Sequence, residues 1–309
     1  MNQMLKKKDR ISKLIMENKG ILKCPLCGKQ MQIQASSSLT CKSKHCFDLS
    51  KKGYLNLLTS HYDAVYSKDL FEARHQVCRA GFFDPLMDVL EEIIKKHQHK
   101  VGDRKLAVFD AGCGEGSHLS SLTRRLVAAD EGKSTEKETG KKEYFFAGAD
   151  ISKESIHIAA GSDGGDILWC VADLAKLPFH NGSFDVILNI LSPANYLEFT
   201  RVLRNDGIIV KVFPDSRYLM ELRNILYHGK ENISYSNDRM VDYFAQKLTV
   251  TDTRKITYSF EISRELFPQL MKMTPLTWGA DEARLEVRDF EMPTHITVDL
   301  TVMTGIMKE

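Results

Sequence analysis

Residues 106–119 read Leu-Ala-Val-Phe-Asp-Ala-Gly-Cys-Gly-Glu-Gly-Ser-His-Leu: an apolar run, an acid, three glycines set one residue apart, then the start of a helical pattern. A chain that turns sharply out of a buried strand straight into a helix has few architectures open to it. Glycine admits positive φ and lets the backbone approach a ligand closely, while the helix that follows aims its unpaired N–H groups at the same point. In open α/β sheets ligands bind at this junction, beyond the carboxyl end of a strand. A dinucleotide fingerprint would place glycine at 117 after Gly112 and Gly114. Ser117 stands there instead, and Asp110 before the loop is foreign to that fingerprint. Pyrophosphate recognition is disfavoured.

The surrounding pattern supports a doubly wound sheet. Apolar strand-like runs at Leu106–Phe109, Tyr144–Ala149, Ile167–Val171, Val186–Leu191 and Ile208–Phe213 alternate with helical segments at Leu119–Val127, Lys153–Ala160, Tyr196–Val202 and Tyr218–Tyr227. Ile256–Ile262 and His295–Met303 read as further strands, an antiparallel addition near the C-terminus. Asp130–Glu143 has no apolar residue and reads as a mobile surface loop. The α/β unit is expected over 101–309. Three units precede it: a charged helical extension at 1–20, a cysteine-rich unit at 21–58 and a helical connector at 59–100, where Phe71, Val77, Phe82, Phe83, Leu86 and Leu90 recur at helical spacing.

A net charge of +2 conceals an asymmetry: residues 1–60 carry +9 and the rest −7. Within the basic part, Cys24-x2-Cys27 is followed by Cys41-x3-His45, with Cys46 adjacent as a competing donor. Soft thiolates and a borderline imidazole suit zinc in a closed tetrahedron, which is structural because four protein ligands leave no open position. A segment of some forty residues with few large apolar groups needs such a staple. Lys42, Lys44, Lys51 and Lys52 flank it, and Phe47 and Tyr54 are candidate stacking faces, a combination suited to nucleic-acid phosphate and unpaired bases. Seven cysteines, an odd number with four inside residues 24–46, argue against a disulfide framework and for a reducing, cytoplasmic setting. No run is long and apolar enough for a membrane helix.

The Asp-x-Gly-x-Gly-x-Gly stretch resembles motif I of the class I (Rossmann-like) S-adenosylmethionine-dependent methyltransferases. Acids then recur at successive strand ends: Asp150 suited to ribose hydroxyls, Asp173 near the adenine edge, and Asp185 with the fourth strand, which runs under the donor methyl. Taken together with Cys-Pro-Leu-Cys (24–27), Lys52 to Leu58, Ala73-Arg74, Ala80 to Leu86, Leu177-Pro178-Phe179, Arg217 to Leu222 and Met273-Thr274-Pro275, the chain resembles the RlmA family of 23S rRNA guanine-N1 methyltransferases. The resemblance implies that Cys24, Cys27, Cys41 and His45 hold zinc in a small N-terminal zinc ribbon. It also implies that S-adenosylmethionine is contacted by Phe83, by Asp110, Gly112, Gly114, Gly116, Ser117 and His118, by Asp150 and Asp173, and by Tyr218. Phe83 and Tyr218 stand where better-known members carry Tyr and His. A homodimer framing a hairpin in domain II of 23S rRNA is implied as well, and one branch of the family is linked to macrolide resistance.

Guanine N1 carries a proton at neutral pH, and Asp110, Asp150 and Asn189 (which could only orient) lie near the expected pocket without one of them being singled out. Two other readings share these features: methylation of another RNA or a small molecule, and a cofactor-binding RNA-interaction protein without catalysis.

Overall fold

The computed structural model describes residues 6–34, 37–60, 66–102, 104–131, 144–227, 235–274, 276 and 292–308. The chain opens with α1 (Lys7–Glu17), then β1 (Met31–Gln34), β2 (Ser38–Cys41), β3 (Cys46–Asp48) and β4 (Tyr54–Asn56), followed by α2 (Lys68–Arg79) and α3 (Asp84–Val101). The α/β part comprises β5 (Leu106–Ala111), α4 (Ser117–Glu131), β6 (Tyr144–Asp150), α5 (Lys153–Ser162), β7 (Ile167–Val171), β8 (Phe184–Ile190), α6 (Tyr196–Val202) and β9 (Leu203–Pro214). It closes with α7 (Met220–Leu226), α8 (Asp238–Lys247), β10 (Leu248–Glu261), α9 (Phe267–Met273) and β11 (His295–Met307).

Among the described residues eight strands form one sheet in the order β10-β11-β9-β8-β5-β6-β7-β4, parallel from β9 to β4, with β11 and β10 antiparallel at the other edge. Strands β5, β7 and β8 are buried along their whole length, as strands covered by helices on both faces must be. The order reverses between β5 and β8, so the chain winds away from β5 in both directions and leaves a crevice at its carboxyl end. The glycine loop sits in that crevice.

Three sequence-defined units are knit into this body. Residues 54–56, at the end of the cysteine-rich unit, pair in parallel with β7 as the sheet's edge strand. The connector helices α2 and α3 pack Val77, Phe82, Phe83, Leu86 and Leu90 into the core over one face of the sheet, and the Tyr258 hydroxyl donates to the Phe82 carbonyl at 2.6 Å. The N-terminal helix α1 buries Ile11, Leu14 and Ile15 in the core of the opposite face, and its Lys7 ammonium donates to the carbonyls of Ala160 and Asp163 at the end of α5. It is thus part of the packed structure. Ile11→Val is expected to lower stability by about 1 kcal/mol, read as a lower urea midpoint at unchanged m-value; an unshifted midpoint would mean that α1 unfolds separately.

The polar stretch 130–143 differs from a uniform loop at its start, since residues 130 and 131 continue α4, and lies outside the described residues from 132 onward. The helix expected from Tyr218 begins at Met220, because Leu219 adopts a left-handed conformation (φ 55°) held by its N–H donating to the Thr297 carbonyl at 2.9 Å.

Candidate active site and metal centre

The loop after β5 is tied to β6. The N–H groups of Gly112 and Cys113 both donate to the Ala149 carbonyl, and the Gly114 N–H donates to Asp150 Oδ2 at 2.9 Å. Asp150 also accepts from the Ser152 N–H through Oδ1 at 2.9 Å, so it fixes two turns at once while each oxygen keeps a second lone pair free for a ligand hydroxyl. The glycines do different work. A Cβ at Gly112 would lie 2.0 Å from Ser192 Oγ, and one at Gly116 would lie 2.7 Å from both Ala159 and the Trp169 ring; both have positive φ. Those two positions pack the loop against its own protein. At Gly114, among the described residues, only Arg74 Nε comes within 4 Å of such a Cβ, at 3.9 Å, so this is the glycine that leaves room for a ligand.

Around that room lie buried polar atoms without a hydrogen-bond partner among the described residues. Asp110 is 1% exposed and neither carboxylate oxygen has a hydrogen-bond partner among the described residues. Burial raises its carboxyl from 3.8 to about 7, against the opposing pull of Arg74. His118 is buried with Nε2 unpartnered among the described residues, and burial holds its imidazole neutral, well below the usual histidine range. Phe83, at the start of α3, meets the His118 ring edge-on at 4.9 Å. Tyr218 lies within electrostatic reach of Arg74 and Cys78, its hydroxyl pushed up by burial. Asp173, half-buried beyond β7, accepts from the Ala175 N–H at 2.8 Å, and the next residue, Leu174, sits beside Gly112. These residues therefore gather around the glycine loop and the carboxyl ends of the strands beside it.

Two expectations are corrected. Asp185 is the second residue of β8, at the opposite end of the sheet from the crevice. Its carboxylate is held there by Arg104, Arg204 and the Ala107 N–H, since parallel strands put their first residues at the end away from the ligand. Asn189 cannot orient a substrate. Its amide donates to the carbonyls of Ala111 (2.6 Å) and Pro193 (3.1 Å), and its oxygen accepts from Lys211, so it braces the loop from beneath. Sequence reasoning passed over Glu115, a buried acid within the loop. The Ser117 hydroxyl donates to it at 2.6 Å, and His75 Nδ1 and Arg74 Nε lie 3.0 and 3.6 Å away. A charged residue between glycines facing an Arg-His pair on a helix was the available signal.

The second centre is formed by two turns. Gly28, at φ 72°, donates its N–H to the Cys24 carbonyl, closing the knuckle that brings Cys24 and Cys27 together. A second turn brings Cys41 and His45, whose Sγ and Nδ1 are 3.5 Å apart. Cys24 Sγ lies 3.4 Å from His45 Nδ1, Cys27 Sγ lies 3.6 Å from Cys41 Sγ, and all four donor atoms fall within 4.8 Å of one another. A tetrahedron with about 2.1–2.3 Å bonds has edges of roughly 3.5–3.7 Å, so the cluster fits zinc. Cys46 is exposed and outside the cluster. The Lys29 N–H helps hold the Cys27 thiol down at about 6, towards the thiolate that a metal requires. Lys42, Lys44, Lys51 and Lys52 are exposed around this unit. Tyr54 is not available for stacking on bases: it is buried, edge-on to His157 at 6.2 Å, because β4 belongs to the large sheet.

Residues 22–62 match the zinc-ribbon family described as RlmA, N-terminal, and residues 109–210 match the family described as Methyltransferase domain. The YxjB protein of Bacillus subtilis (strain 168), provisionally assigned as a 23S rRNA (guanine-N(1)-)-methyltransferase, is 38% identical over 288 residues, covering 93% of this chain and 97% of that protein. The chain belongs to the RlmA family. The 23S rRNA (guanine(748)-N(1))-methyltransferase of Streptomyces fradiae is 25% identical over 91% of this chain and 94% of its own length. A relative from Micromonospora griseorubida, with the same provisional assignment as YxjB, is 27% identical over 91% and 95%. As an RlmA-family methyltransferase the chain uses S-adenosylmethionine and a structural zinc ion. Its residues fit both groups: buried acid and base atoms without partners among the described residues surround the glycine loop, and three thiols and an imidazole nitrogen stand at tetrahedral spacing.

Proposed function

We propose that this protein transfers a methyl group from S-adenosylmethionine to N1 of a guanine in a domain II hairpin of 23S rRNA, acting in the cytoplasm as a homodimer. The observation that carries this reading is the co-linearity of an RlmA zinc ribbon and a methyltransferase crevice over nearly the full length of relatives named for that reaction.

In this reading Cys24, Cys27, Cys41 and His45 ligate zinc and the lysines around them meet RNA phosphate. Asp110 faces the ammonium of the cofactor's amino-acid end, Asp150 accepts ribose hydroxyls, Asp173 lies by the adenine, and Phe83, His118 and Tyr218 wall the crevice; Gly114 leaves the space and Gly112, Gly116 and Ser117 shape it. S-adenosylmethionine, when bound, supplies an electrophilic sulfonium methyl. The protein's part is then alignment and exclusion of water, which can account for most of the acceleration in such a transfer. The guanine leaves its stack to enter the crevice.

Mass spectrometry of 23S rRNA from a strain lacking the gene is expected to show loss of one N1-methylguanine, restored by the wild-type gene. Persistence of every N1-methylguanine would refute the substrate. A failure of the purified protein to bind S-adenosylmethionine in calorimetry would favour a non-catalytic RNA-binding role.

A further inference from the structure

The amino-acid end of the cofactor carries a carboxylate as well as an ammonium, and the charged residues assigned above are all acids. A carboxylate entering a crevice lined by Asp110, Glu115 and Asp150 requires a cation. Four basic groups border the loop. His118 is held neutral by burial. Lys211 is engaged beneath the loop, donating to Asn189 Oδ1 and the Ser192 carbonyl. His75 Nδ1 is engaged by Glu115 and Ser117.

Arg74 differs from these three. It lies deep in the fold on α2, yet 21% of its side chain stays accessible, as for a group lining an internal crevice. Its Nε is buried with no hydrogen-bond partner among the described residues, and Glu115 at 3.6 Å is beyond good hydrogen-bond distance. Gly114, the loop position with free space, lies against it, and Tyr218 and Asp110 are within its electrostatic reach. A guanidinium offers a planar fork that matches a carboxylate with two parallel N–H···O bonds.

We propose that Arg74 binds the carboxylate of the cofactor's methionine end and so selects the intact amino acid over truncated adenosyl ligands. This rests on the reading of the crevice as the S-adenosylmethionine site. It also gives the guanidinium a function: Arg74 for the carboxylate and Asp110 for the ammonium answer the two charges of the zwitterion.

The test is calorimetry with two ligands. S-adenosylhomocysteine has the amino-acid end and 5′-methylthioadenosine lacks it. Arg74→Gln is expected to weaken S-adenosylhomocysteine by about 10- to 100-fold, the range for a lost charge-assisted hydrogen-bond pair, and to leave 5′-methylthioadenosine within twofold (~2) of wild type. Arg74→Lys, which keeps the charge and loses the fork, is expected to fall between the two and serves if the Gln variant does not fold. An equal loss for both ligands would assign Arg74 to loop support, and no loss for either would remove it from the site; both overturn the proposal. A wild-type protein that binds neither ligand would instead refute the cofactor site itself.

Discussion

Replacing Cys24 with serine is expected to yield a protein that no longer retains zinc, has lost amide protection across residues 22–50, and binds rRNA poorly while holding S-adenosylhomocysteine as before. The effect is large because the ribbon has little else to rest on. Its three strands contribute eleven residues between them, and among the described residues it fully buries Leu22, Met31, Leu39, Leu49 and two cysteines in the shared core, with Ile21, Ile33 and Phe47 packed against them only in part. Structural zinc in such small units contributes an apparent binding free energy of about 10–16 kcal/mol, more than the net stability of a typical domain. Cys24 is buried at the hinge of the first knuckle, and a serine oxygen in its place is a harder and far less acidic donor. The cofactor crevice, by contrast, is built from β5, β6, α2, α4 and the turn before α7, none of which carries a metal ligand. Metal analysis, hydrogen exchange and paired titrations with rRNA hairpin and cofactor separate these outcomes. Unchanged rRNA affinity in a zinc-free protein would take the ribbon out of substrate selection.

How much of this was readable in the sequence depended on whether the signal was local. Ile167–Val171 has the expected bounds because five consecutive apolar residues buried on both faces have no competing periodicity. The zinc ligands were legible because knuckle geometry fixes their spacing. In β10 only Ile256–Ile262 was seen, although the strand runs from Leu248; its first half is an exposed polar edge of threonines and charges that carries no inward alternation. Strand β4 has three residues, too few for any period, and its place in the large sheet is decided by pairing with Trp169, Cys170 and Val171, more than a hundred positions away. The site shows the same division. Asp110 and Asp150 announce themselves at strand ends, whereas Asp185 mimics them at the wrong end, and the sequence does not say which end of a strand a residue occupies until its full length is known. Arg74 was visible only as part of a family block, since its role depends on which charges the fold leaves unanswered around it.

At pH 8 and without cofactor, Asp110→Asn is expected to be more stable than the wild type and to have lost most of its affinity for the cofactor. Burial raises the Asp110 carboxyl from 3.8 to about 7, and the nearby acids Asp150 and Glu115 act in the same direction. The unfolded chain releases this proton near pH 4, while the folded chain keeps it up to about 7. Between those values the unfolded state has fewer bound protons, so the native state loses stability as the pH rises through about 7, and above that the loss is complete. A gap of about three units corresponds to an upper figure of roughly 4 kcal/mol. Asparagine has the shape of the carboxyl without its charge, so the variant should match wild type near pH 4 and exceed it by a few kcal/mol at pH 8. Ligand binding reverses the order. A cofactor ammonium beside the carboxylate restores the missing partner, so S-adenosylhomocysteine should raise the wild-type melting temperature strongly and the variant's little. Wild-type affinity should fall as pH drops below about 7, where the incoming ammonium must first displace the bound proton. Urea and thermal unfolding at pH 4, 6 and 8, each with and without S-adenosylhomocysteine, measure all three effects. A variant less stable than wild type at pH 8 without ligand would show that the Asp110 carboxylate is answered within the protein; a gain in stability with loss of ligand response would show a charge kept at a cost in stability because the cofactor is what neutralises it.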